Sequence, residues 1–163
     1  MALRRGLVIS SRRMRLVDQI LNDLHASSGV RFISIVSTSG QPITCSPADA
    51  QSDMLSLASL AASSFAATQQ LAAVLNEREF TLLFHEGRNS NLHVAQVTDR
   101  VLLVVAFGRD TQVGKVRLYT ARAIEALGPL FRAAEEDIDL AVVDKQYTVE
   151  ASEAVDDLFG GVD

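Results

Sequence analysis

The stretch LASLAASSFAATQQLAAVL, Leu57 to Leu75, decides how this chain is read. It sits inside 23 residues, Met54 to Asn76, that carry no charged side chain. That length suits a bilayer, since about 20 apolar residues span the hydrocarbon. The content does not. Ser56, Ser59, Ser63, Ser64, Thr68, Gln69, Gln70 and Asn76 are polar, and the adjacent glutamines fall near the middle. No membrane span is therefore expected. Wound as a helix at about 100° per residue, the segment sorts into two sides. Leu57, Leu60, Ser64, Thr68, Leu71 and Leu75 share one, with Phe65 and Val74 at its margins, and its bulk predicts a core face. Ala58, Ser59, Ala62, Ala66, Gln69 and Ala73 share the other, which is small and uncharged where a surface helix would carry Lys and Glu. Alanines at 58, 62 and 66 would let another backbone come close. A chain of this size has little material to cover a helix of about 35 Å all round. A second subunit or a partner is expected on the small side, rather than burial of both sides within one protomer.

The 163 residues suit one domain, and the composition is globular at 48% hydrophobic and 21% charged. A net charge of −5 argues against a general nucleic-acid binder, which would show a basic face. The single cysteine, Cys45, excludes an internal disulfide and lacks the spacing of a zinc cluster. The apolar piece Leu7 to Ile9 is too short for the core of a signal peptide, so a cytoplasmic protein is expected. Charge is uneven. Five of the 15 basic residues are Arg4, Arg5, Arg12, Arg13 and Arg15, and ten of the 20 acids lie between Glu135 and Asp163. The acidic end reads as a solvated, partly disordered tail or, more sharply, as a segment that docks on a basic partner patch.

Ser11 can cap a helix from Arg12 to Ala26, ended by Gly29. Strands are expected at Val30–Ser37 and Ile43–Cys45, then the charge-free helix. Further strands follow at Phe80–His85, Asn91–Val97 and Val101–Phe107, the last apolar throughout as at the centre of a covered sheet. A third helix is expected from Val113 to Leu127, with Gly128-Pro129 kinking or interrupting it. Val155, Leu158 and Phe159 could form a short amphipathic turn in the tail. The order α-β-β-α-β-β-β-α implies a compact α+β domain with a five-stranded antiparallel sheet. The division is an N-terminal extension (1–11), the domain (12–136) and an acidic C-terminal tail (137–163).

Motifs of chemistry are sparse. GRDTQVGKV, after the fifth strand, has Gly108 and Gly114 six apart where a phosphate-binding loop needs five, and Val116 stands where a magnesium-holding hydroxyl belongs. His85 and His93 could face each other across a hairpin, but two histidines without a third ligand make a weak metal site and read as ordinary hairpin residues. No G-x-S-x-G is present. No catalytic, cofactor-binding or metal-binding residue is assigned, and no cofactor is expected. Arg88 and Arg109 sit in loops, where an arginine could reach a partner's phosphates as an arginine finger, although most loop arginines are solvated surface groups.

Three pieces in this order and spacing carry a family resemblance: the small-residue helix with AATQQLA (Ala66 to Ala72), the strand VLLVVAF, and VGKVRL (Val113 to Leu118). The chain resembles the Roadblock (dynein light chain Roadblock-type) domain over Arg12 to Ala134, most of all its bacterial MglB-type branch. The resemblance implies a homodimer in which the second helices lie antiparallel and the third strands pair, making the sheet continuous across both subunits. Phe80, Leu82 and Phe84 would form the strand part of that interface, and Ala58, Ser59, Ala62, Ala66, Gln69 and Ala73 would line a platform for the partner. That partner would be a Ras-like GTPase of the MglA type. Its GTP hydrolysis would be stimulated by stabilising its own catalytic residues, without an arginine finger, so the protein would be a regulator and not an enzyme. Phe65 departs from the small residues usual in that part of the helix and could alter the docking surface. The alternative is a non-catalytic Roadblock scaffold that binds a small GTPase or a motor or polarity complex. A ligand-sensing α+β module, with a cavity lined by the inner sheet face, is the third class.

Overall fold

The computed structural model describes residues 7–49 and 53–159, with side chains described as far as Asp139. Helix α1 spans Ser11–Ser28. Its cap is Ser10, one residue earlier than expected, whose hydroxyl accepts from the Arg13 amide. Gly29 ends it in the left-handed conformation at φ 70°, which costs glycine nothing. Strands β1 (Phe32–Ser37) and β2 (Pro42–Ser46) precede α2 (Met54–Val74); β3 (Leu82–His85), β4 (Ser90–Thr98), β5 (Val101–Gly108) and α3 (Val113–Phe159) follow. All pairings are antiparallel, in the order β2-β1-β5-β4-β3. The α+β architecture and the five-stranded sheet agree with the sequence reading.

Strand β5 is central, and Val101 to Val105 are buried without a break, because helices cover both faces. Alternation along the strands divides the core in two. Ile33, Ile35, Leu103, Val105 and Phe107 pack with Val17 and Leu21 of α1 and Leu127 and Phe131 of α3. Val36, Val94, Leu102 and Val104 pack on the other face with α2.

Two expectations about α3 are corrected. Gly128-Pro129 does not interrupt it: the helix holds Pro129 in its interior and runs for 47 residues. A proline inside a helix loses a hydrogen bond and costs about 3 kcal/mol. Leu127, Phe131 and Ala134 bracket it, each fully buried, and their packing offsets that cost. The helix also does not end where the acidic tail was expected to begin. Past Ala134, Thr98 donates to Glu135 at 2.6 Å, while Arg13 pairs with Asp137 and Arg100 with Asp139. Val155, Leu158 and Phe159 fall within the helix, and their side chains lie outside the described set. At the other end, Leu7 and Ile9 pack against the core, so ordered packing begins before Arg12.

Candidate functional site

Helix α2 is the feature that sets this domain apart, and its sides are distributed differently from the sequence expectation. On the buried side Ala58, Ala61, Ala62 and Phe65 are set against Val36, Val94, Leu102 and Val104 of the sheet, and Ala72 is buried as well. Ala58 is 0% exposed and Ala62 5%, so neither lines an open platform. This corrects the sequence reading. The sheet supplies bulky side chains, and a helix with alanines toward it can settle close enough to exclude water. Phe65 belongs to this packed side.

The leucine side, expected to face the core, is largely outside. Leu60 is 66% exposed, Leu71 58% and Leu75 63%; Leu57 alone is half-buried against the α2 cluster. The opposite flank carries Ser59, Ala66 and Ala73, all exposed, and the half-buried Gln69. This flank looks toward the end of the sheet that holds the β1–β2 and β4–β5 turns. Ser59 donates to the Gly40 carbonyl at 3.3 Å, and Gln69 donates to the Phe80 carbonyl at 2.5 Å. Gly40 lies at φ 86°, and a Cβ there would stand 3.0 Å from the Ser59 Cα. Only glycine permits both the turn and the close seating of the helix.

Strand β3 lies at the sheet edge. The Gln96 amide donates to the Thr81 carbonyl, and Leu82 pairs with Ala95 and Phe84 with His93. Antiparallel alternation then turns the backbone groups of Leu82 and Phe84 toward the open edge. The Phe84 ring points inward, 6.2 Å from that of Phe107. Of the three residues expected at a dimer interface, Leu82 and Phe84 thus offer backbone there; Phe80 precedes the strand and is half-buried.

The two histidines do not face each other: Phe84 pairs with His93, and His85 with Leu92. His85 is exposed while His93 is 1% exposed, and burial, reinforced by the positive charge of Arg117, lowers the pKa of His93 to about 4. It is a neutral core residue at ordinary pH. Among the described residues no group of three or more His, Cys, Asp or Glu is placed to hold a metal ion, and no helix is long and apolar enough to cross a membrane.

Helix α2 thus leaves large apolar residues outside, and β3 leaves one edge of the sheet unpaired. The chain belongs to the Roadblock/LC7 domain family, whose model matches residues 16–107. Among solved structures it is similar to MglB proteins. MglB of Myxococcus xanthus is 33% identical over 72% of this chain and 96% of that one, with a TM-score of 0.69. The gliding protein MglB of Thermus thermophilus is 28% identical over 80% of this chain and 99% of its own, with a TM-score of 0.74. An MglB described as having a tetrameric arrangement is 29% identical over 81% and 99%, also with a TM-score of 0.74. No curated protein matches the chain.

Proposed function

We propose that this protein is a homodimeric cytoplasmic regulator that binds a small Ras-like GTPase of the MglA type and stimulates its GTP hydrolysis, having no active site of its own. The observation that carries the reading is the outer surface of α2, which combines exposed leucines with a flank of small uncharged residues. A second copy covers the leucine flank and pairs along β3, since an exposed apolar patch and an open strand edge are both liabilities for a lone subunit. The GTPase docks on the flank of Ser59, Ala66, Gln69 and Ala73. A surface without charge needs no ion desolvated when a partner lies against it. The likeness to MglB proteins supports the same assignment.

Stimulation proceeds through docking, which holds the partner's own catalytic groups and attacking water in the reactive arrangement; such preorganisation is often the largest catalytic contribution. Arg88, in the β3–β4 loop, and Arg109, after β5, are both exposed and belong to loops rather than to α2, and neither serves as a finger. The test is single-turnover hydrolysis by an MglA-type GTPase with and without saturating protein. Acceleration is expected. Binding without acceleration would reduce the role to the scaffold, and absence of binding would remove the GTPase from the reading.

A further inference from the structure

The acidic extension of α3 has no part in the function just described. Past Asp139 the helix runs on to Phe159, and in that stretch Asp144, Glu150, Glu153, Asp156 and Asp157 outnumber the single base, Lys145. The opposite sign collects at the other end of the domain. Arg31 precedes β1, Arg88 lies in the β3–β4 loop, Arg109 follows β5, and Lys115 and Arg117 lie in the first turns of α3. The fold brings these segments together. Arg31 donates to the Ser90 hydroxyl at 2.9 Å, Ser90 pairs with Gly108, and a Cβ on Gly108 would stand 2.6 Å from Arg31 Nη2. All five cations are exposed, and among the described residues none belongs to an ion pair. The carboxylates of the same segments are Glu86 and Asp110, the latter beside Arg31 over Gly108. The first turn of α3 holds no acid, so the positive end of its dipole adds to the field. On a chain of net charge −5 this end is a cationic patch.

Helix α3 decides which copy can supply the anion. It starts at the cationic end and carries residue 140 about 40 Å away, so a chain cannot lay its extension on its own patch. At its far side α3 is tied to the β4–β5 turn, where Thr98 donates to Glu135 at 2.6 Å and Arg100 meets Asp139 at 3.5 Å. A twofold pairs β3 with its copy antiparallel, which sets this turn end beside the twin's cationic end. Thr98 ends β4, one strand in from the edge, and Arg88 leaves the β3 strand at that edge. Across the pairing the two are separated laterally by two to three strand spacings, about 10–15 Å. Residues 140–159 extend about 30 Å as a helix and cover that span.

We propose that residues 140–159 of each subunit lie against the cationic end of its twin, held there by charge. The contact rests on pairing along β3. It leaves the outer surface of α2 free, so GTP hydrolysis is not its readout.

The contact is tested on mixed dimers of the full chain. One chain carries Cys45→Ser and Ser152→Cys with a nitroxide on the new thiol, and the other is isotope-labelled for NMR. Paramagnetic broadening should appear on the backbone amide signals of Arg88, Arg109 and Lys115 in the isotope-labelled chain. It should fall by about half or more in about 1 M NaCl, where the Debye length is about 3 Å. Asp144→Lys/Glu150→Lys/Glu153→Lys in the nitroxide chain should abolish it, and Arg88→Glu/Arg109→Glu/Lys115→Glu in the other chain should restore it. Absent broadening in a protein that sediments as a dimer overturns the contact and leaves the β3 pairing standing. Broadening indifferent to these charge reversals also overturns it. Broadening that grows with concentration after the dimer is saturated places the extension on another dimer and overturns the assignment to the twin. A protein that sediments as a monomer removes the β3 pairing and the contact together.

Discussion

The two sides of α2 invert the usual relation between size and burial. Ala58, Ala61, Ala62 and Ala72 are buried, while Leu60, Leu71 and Leu75 stand in solvent. Contact depth, not side-chain bulk, chose the inner side. Val36, Val94, Leu102 and Val104 already fill the space above the sheet, and leucines there would lift the helix and open voids. The leucines are thus displaced to a flank that one protomer cannot cover.

That contrast can be broken most severely from the inside. Ala62→Arg forces a long cation between helix and sheet, where unpaired charge and overpacking add. A loss of about 4 kcal/mol or more, or failure to fold, is expected in denaturant unfolding. Near-native stability would mean that Ala62 lies on an open surface after all. From the outside, Leu60→Glu/Leu71→Glu should leave the folded protomer intact. It should weaken self-association by about 100-fold, or roughly 2.7 kcal/mol, by analytical ultracentrifugation. A dimer of unchanged affinity would move the twin interface elsewhere.

The inner layer also carries a pH signature. His93 has its folded pKa lowered to about 4 from an ordinary 6.5, so below 6.5 the unfolded chain binds the extra proton first. Stability is complete above about pH 6.5 and falls as the pH drops toward 4, by on the order of 2 kcal/mol. His93→Gln should flatten that part of the profile, and an unchanged slope in the variant would assign it to other groups. Gly40→Ala attacks the seating of the helix through a strained φ and a contact with the Ser59 backbone. A loss of about 1–2 kcal/mol is expected in the same unfolding assay. The smallest effect belongs to the loops. Arg88→Ala and Arg109→Ala should leave stimulated hydrolysis close to normal, whereas a loss of about 100-fold would install an arginine finger.

Much of the fold was legible because its signals are local. Gly29 stops α1, the apolar run Val101 to Phe107 announces a central strand, and the turns separate β3, β4 and β5 at the expected places. The site was legible only in part. Ser59, Ala66 and Ala73 are on the outer surface as expected, whereas Ala58 and Ala62 are not. No local rule ranks a side of alanines against a side of leucines when both lack charge. The continuation of α3 through Pro129 was hidden for a related reason. The residues that hold it, Leu127 and Phe131, gain their packing from Val17, Leu21 and the far face of the sheet.

Left to itself, the order of amino acids determined which segments are helix and strand, that α2 is free of charge, and that the ends of the chain carry opposite sign. Those properties follow from neighbours a few residues apart. Tertiary structure alone decided which side of α2 meets the sheet and that β3 is left at an edge. It also placed Thr38, Glu79 and Asp99 around one pocket at the turn end of the sheet. These depend on how closely distant segments can approach, and that distance is set only once all the side chains between them have been packed.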